Sequence, residues 1–131
     1  MLIDQNIKLS ISTVDSFTWY FYREIVISVL NNALNNASRY TKSAIELVAT
    51  EENGYLVIEI HDDGNGYPKL LLDSPPGEIL NNINFQTGST SLGIYFAEMV
   101  TRLHTHKERQ GSIKLANGGR LGGGVFSIHL P

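Results

Sequence analysis

Cysteine is absent from this sequence, which excludes disulfide bonds and thiolate zinc centres as sources of stability. Long apolar runs are missing as well, and the aliphatic stretches are too short and interrupted to span a bilayer. The opening MLIDQNIK has no basic segment leading into an apolar one. A cytoplasmic setting is therefore expected, either alone or as the cytoplasmic part of a membrane-bound parent. Positive charge is in short supply, with ten Lys and Arg against thirteen Asp and Glu and a formal net charge of −3. That balance argues against nucleic-acid binding by bulk electrostatics, although local groups of Lys and Arg can still surround phosphates. There is no internal repeat and no low-complexity tail. The 131 residues fit one domain, 1–131, able to bury a core without covalent staples.

What is present is organised around VISVLNNALNNASRY, Val26 to Tyr40. At helical spacing Val26, Leu30, Ala33 and Ala37 form an apolar stripe, and Asn32, Asn36 and Arg39 fall on a neighbouring one. A row of amides and a guanidinium beside an apolar face suggests that something polar is held there. Before it, Ile7 to Val14 alternates as a half-buried strand. Asp15, Ser16 and Thr18 offer N-caps, so the helix is expected from about Thr18 to Arg39, opening with Trp19, Tyr20, Phe21 and Tyr22. Four adjacent rings cannot all face a core.

Ala44 to Thr50 and Tyr55 to His61 read as strands joined through Glu51, Glu52, Asn53 and Gly54, and Asn-Gly is a strong hairpin signal. Tyr67 to Thr87 shows little periodicity and reads as a functional loop or lid. Leu92 to His104 is helical, with Ile94, Ala97, Val100 and Leu103 inward. Ser112 to Ala116 and Val125 to Leu130 close the chain as two strands around the turn-prone NGGRLGGG. The order implies an α+β fold, a two-layer α/β sandwich with a mixed, mostly antiparallel sheet and helices on one face.

Two short motifs carry chemistry. Asp62, Gly64 and Gly66 form a D-x-G-x-G pattern at a strand end. An aspartate there can accept from an exocyclic amine such as adenine N6, with glycines letting the backbone approach a flat base, but ordinary turns and some calcium loops share the composition. Asp63 reads as a solvated neighbour. Gly88, Ser89, Thr90, Ser91, Leu92 and Gly93 form a turn feeding a helix, where backbone N–H groups can face phosphates. His61, His104, His106 and His129 read as structural, since His104 and His106 do not share a helix face.

With these motifs in this order, the chain resembles the histidine kinase-like ATP-binding domains (Bergerat fold), the family that also includes gyrase, Hsp90 and MutL ATPases. The resemblance runs from about Lys8 to the final GGGVFSIHLP. It implies that Asn32 to Tyr40 is the Asn-rich box, with Asn36 giving an oxygen to Mg²⁺, Arg39 and Tyr40 contacting phosphate, and Lys42 a looser candidate. It makes Asp62 the adenine-reading carboxylate, with Gly64 and Gly66 beside it, and Gly88 to Gly93 the nucleotide-binding turn.

The family's hydrolytic branch has glutamate one turn before the metal-binding Asn; this chain has Asn32, and an amide cannot act as a general base. The implied activity is therefore that of a sensor histidine kinase catalytic module. It would bind Mg²⁺-ATP and pass the γ-phosphate to a histidine on a partner dimerisation domain, ahead of a response regulator. None of this chain's histidines lies in the H-E-x-x-[TS]-P context of a phosphoacceptor. The chain departs from the family pattern at Ser89 and Ser91, usually glycine, and at Gly124 and Val125, where relatives often carry Thr. Phe85 is the one candidate for the family's phenylalanine box. A non-catalytic interaction module and an anti-sigma-type serine kinase are the alternative readings.

Overall fold

The computed structural model describes residues 8–13, 19–73 and 89–131. Along the chain come β1 (Lys8–Thr13), α1 (Arg23–Tyr40), β2 (Ala44–Glu52), β3 (Tyr55–Asp62), the single turn α2 (Lys69–Leu72), α3 (Ser89–Arg102), the two-residue strands β4 (Thr105–His106) and β5 (Arg109–Gln110), β6 (Ser112–Asn117) and β7 (Gly124–Leu130). The main sheet has the order β1-β2-β3-β7-β6. Its β1–β2 pair is parallel and the others are antiparallel.

Strand alternation sorts the side chains. Leu56, Ile58 and Ile60 of β3 and Phe126, Ile128 and Leu130 of β7 fall on the face covered by the helices, where they join Val26, Val29 and Leu34 of α1 and Ile94, Ala97 and Val100 of α3 in one core. Leu30, Ala33 and Ala37 pack at its margin, so the apolar stripe of α1 lies as its spacing implies. Mixed sheet and one-sided helices make the two-layer sandwich expected from the element order.

The β2–β3 connection is the tight hairpin expected of Asn-Gly. Asn53 and Gly54 have φ of 53° and 84°, the doubly positive turn whose twist matches that of the strands it joins. The β4–β5 hairpin has no periodic signal in the sequence, because two-residue strands are too short to show one. It leans on that turn through Arg109, whose Nη1 donates to the Asn53 carbonyl at 2.6 Å and whose guanidinium lies over the Tyr55 ring at 5.3 Å.

Helix α1 starts at Arg23, later than the Thr18 expected, and the aromatic cluster precedes it. In a helix begun at Thr18 the N–H of Tyr22 would turn back to residue 18. Instead it donates to His104 Nε2 at 3.0 Å, with the two rings edge-on at 5.0 Å. His104 Nδ1 faces the Val100 carbonyl at 3.0 Å; a carbonyl only accepts, so Nδ1 carries the proton and Nε2 the lone pair. Trp19 Nε1 donates to the Leu130 carbonyl at 3.0 Å. Tertiary partners thus replace a first helical turn. His104 also takes the inward position expected of Leu103, which is exposed. Helix α3 begins at Ser89 rather than Leu92, and α2 interrupts the segment read as loop.

Ile128 has no exposed surface and sits between Ile58 of β3 and Ile113 of β6. Ile128→Ala is expected to cost about 2–5 kcal/mol, read as a lowered urea midpoint with unchanged slope.

Candidate functional site

Strand β3 ends at Asp62, and alternation places this side chain on the helix face in line with Ile58 and Ile60. Asp62 is 9% exposed. Its Oδ1 accepts from the N–H of Gly64 at 2.8 Å and from the N–H of Gly124 at 3.1 Å. Its carbonyl accepts from the N–H of Gly123 at 3.0 Å. Among the described residues both side-chain bonds go to Oδ1, so one oxygen orients the carboxylate and Oδ2 remains for a donor from outside. A Cβ on Gly123 would lie 2.6 Å from both the carbonyl and Oδ1 of Asp62; only glycine passes there.

Tyr67, just after the D-x-G-x-G pattern, forms a wall beside this carboxylate. Its ring edge would lie 3.0 Å from a Cβ on Gly124, and Asp62 Oδ2 3.1 Å from the same point. Burial, and then the charge of Asp62, pushes the Tyr67 phenol above its usual range. The backbone of Tyr67 is clasped by Asn117 at the end of β6: Tyr67 N–H donates to Asn117 Oδ1 at 2.7 Å, and Asn117 Nδ2 donates to the Tyr67 carbonyl at 3.0 Å. Gly66, at φ 82°, makes the turn against Asn117. Sequence reasoning did not assign Tyr67 or Asn117 to the site. Adjacency to the motif pointed to the first, and nothing local pointed to the second.

The amide row of α1 faces α3 at Gly93. A Cβ there would lie 2.8 Å from Asn36 Nδ2 and 3.4 Å from Asn32 Nδ2, so this glycine sets how closely the two helices meet. Asn36 is half-buried and Asn32 exposed. The backbones of Arg39 and Tyr40 close α1, and those of Ser89, Thr90, Ser91 and Leu92 open α3. The side chains of these residues lie outside the described structure, as do Phe85 and Gly88 altogether. No cluster of three or more His, Cys, Asp or Glu suited to a metal exists among the described residues. The Asn36 amide oxygen is a single hard donor, which fits a Mg²⁺ ion held mainly by phosphate oxygens and water rather than by a protein cage.

Asp63 is not the solvated neighbour its turn-like context implied. Its carboxylate collects the α1–β2 connection, accepting from Thr41 Oγ1, from the N–H of Lys42 at 2.7 Å and from the N–H and Oγ of Ser43 at 3.0 and 2.7 Å. These bonds, led by those of the Thr41 and Ser43 side chains, hold the carboxyl well below the usual range. Lys42 is thereby fixed through its backbone beside the site. At the far end of the sheet, a groove of about 570 Å³ opens among Trp19, Tyr20, Lys107 and Arg109, sharing no residue with the motifs.

A family pattern described as "Histidine kinase-, DNA gyrase B-, and HSP90-like ATPase" matches residues 22–131. Among solved structures, the catalytic domain of histidine kinase ThkA superposes with a TM-score of 0.73 at 21% identity, covering 96% of this chain and 79% of that one. The mycobacterial sensor histidine kinase MprB gives 0.69 at 15% identity over 96% and 82% of the two chains. The ATP-binding domain of PrrB from Mycobacterium tuberculosis gives 0.64 at 23% identity over 94% and 79%. At these identities the likenesses establish the fold. No curated protein matches the sequence.

Because the folded-state pKa of Asp63 is lowered, its stabilisation is fully present above the ordinary carboxylate pKa and is lost as pH falls toward the lowered value. D63N is expected to melt below the wild type near neutrality, and the gap should narrow below about pH 4. Thermal melts of both proteins across that range check it; a gap independent of pH would mean that charge is not what holds the turn.

Proposed function

The chain belongs to the histidine kinase-, DNA gyrase B- and HSP90-like ATPase family, and on that premise we propose that it binds Mg²⁺-ATP and donates the γ-phosphate to a histidine on a partner dimerisation domain, as the catalytic module of a two-component sensor kinase. The observation that carries this reading is the half-committed Asp62 carboxylate, with Oδ1 fixed by main-chain N–H groups and Oδ2 left to read an exocyclic amine. A pre-oriented acceptor loses little freedom on binding, which is where much of its value lies.

The other assignments follow from chemistry and family resemblance. Asn36 would supply one oxygen to Mg²⁺, and the bound ion neutralises phosphate charge. Arg39 and Tyr40, at the same end of α1, would contact phosphate, Arg39 through a guanidinium suited to its geometry. The N-terminal turn of α3, from Gly88 through Ser89, Thr90, Ser91 and Leu92 to Gly93, would offer backbone donors to the phosphates. Asn32 stands where a hydrolytic relative needs a base and cannot take a proton, so water is left unactivated and the phosphoryl group awaits a better nucleophile. Catalysis is then positioning and charge neutralisation. Ser89 and Ser91, in place of the family's glycines, favour a second reading in which the nucleotide site is kept for docking alone.

Calorimetric titration with ADP and ATP, with and without Mg²⁺, tests the binding step. Binding strengthened by Mg²⁺ is expected. D62N should weaken it by about tenfold or more while the fold, followed by circular dichroism, is kept. N36A should retain ADP binding and lose its response to Mg²⁺. Unchanged affinity in folded D62N would remove Asp62 from the site. Wild-type binding without phosphoryl transfer to any added acceptor domain would favour the docking reading.

A further inference from the structure

We infer that His61 is a positioning residue of the nucleotide site, acting on Asp62 through the loop between β6 and β7. The inference rests on the proposed nucleotide reading for its functional consequence, although the contacts behind it do not. His61 and Asp62 are consecutive on β3, so their side chains leave opposite faces of the sheet. His61 is 5% exposed. Its Nδ1 accepts the N–H of Arg120 at 3.2 Å, and its Nε2 faces Glu59 Oε1 at 3.4 Å. The two partners together fix a tautomer with the proton on Nε2.

The loop lies against the Nδ1 edge of the imidazole. A Cβ on Gly119 would come within 2.6 Å of His61 Nδ1 and 2.3 Å of Val125 Cγ2. Arg120 also reaches across to pair with Glu46 of β2, the residue in register with His61. A β-turn follows, closed by the Gly122 N–H donating to the Gly119 carbonyl at 3.0 Å. The chain then passes to the other face, where Gly123 and Gly124 give their N–H groups to Asp62. One loop therefore grips the end of β3 from both sides. Its outer grip is the His61 lone pair and its inner grip orients the carboxylate.

Arg120 occupies the second position of that turn, where proline is well accommodated, and proline lacks the N–H that His61 accepts. The decisive pair is therefore R120P against R120A, which loses the same guanidinium but keeps the N–H. A second pair is H61F against H61N, whose side-chain oxygen can accept in place of Nδ1. Two readouts are taken: amide hydrogen exchange at Gly123 and Gly124, and ADP affinity by calorimetry.

Relative to R120A, R120P should exchange about tenfold faster at Gly124, and H61F likewise relative to the wild type, with Ile58 and Ile128 unaffected. ADP should bind about fivefold more weakly to both, and H61N should recover most of each effect. Equal exchange in R120P and R120A would overturn the clamp, as would an H61N as impaired as H61F. If H61F fails to fold, the Arg120 pair decides. A wild type that does not bind ADP would defeat the nucleotide reading, and the exchange arm would still decide the clamp.

Discussion

A β-strand sends consecutive side chains to opposite faces, and the end of β3 turns that constraint into a three-way anchor. His61 points out of the sheet and meets the Arg120 N–H. Asp62 points in and receives the N–H groups of Gly64 and Gly124. Asp63, one step past the ladder, gathers Thr41, Lys42 and Ser43 from the connection leaving α1. Two segments distant in sequence, the β6–β7 loop and the α1–β2 connection, are thus referred to one rigid strand end. That strand is rigid because it is central, paired to β2 on one side and β7 on the other, and because Leu56, Ile58 and Ile60 bury its inner face.

The helices obey a matching constraint at both ends of their contact. Near the site, Gly93 lets α3 approach the amides of Asn32 and Asn36. At the other end, His104, just past α3, takes the Tyr22 N–H that precedes α1. Between them lie Val26, Val29, Ala97 and Val100. Apolar packing supplies most of the attraction and is indifferent to small slides along the axes. The Tyr22–His104 hydrogen bond is directional, and together with the close approach that Gly93 permits it fixes the register of the amide row against α3.

Legibility followed the range of the interactions. The Asn53–Gly54 turn, the apolar stripe of α1 and the inward set Ile94, Ala97 and Val100 depend on neighbours within a few residues, and the sequence displays them directly. Asp62 could be put forward as a candidate because its motif is local. Asp63 was misread because the groups that claim it lie on the preceding connection, brought near only by pairing of β2 with β3. The start of α1 was misplaced for the same reason: His104, which draws away the Tyr22 N–H, is remote in sequence. Asn117 and Arg120 gave no signal at all, since the partners of each lie at least fifty residues away in sequence and meet it only across the sheet end.

Much of the candidate site is main chain. The groups that hold Asp62 are peptide N–H donors, available to any residue except proline, and the demand on the residues around them is for space rather than functional groups. Gly123 and Gly93 are constrained by what a Cβ would strike. A site built this way tolerates exchange of side chains that do not enter the occupied volume. On the proposed reading its chemistry would rest on very few of them, Asp62 and Asn36 foremost. That distribution explains how a fold can be shared at about one-fifth identity with solved kinase domains while the motifs remain readable: what must persist is the backbone path that brings peptide donors to one carboxylate, and many sequences follow that path.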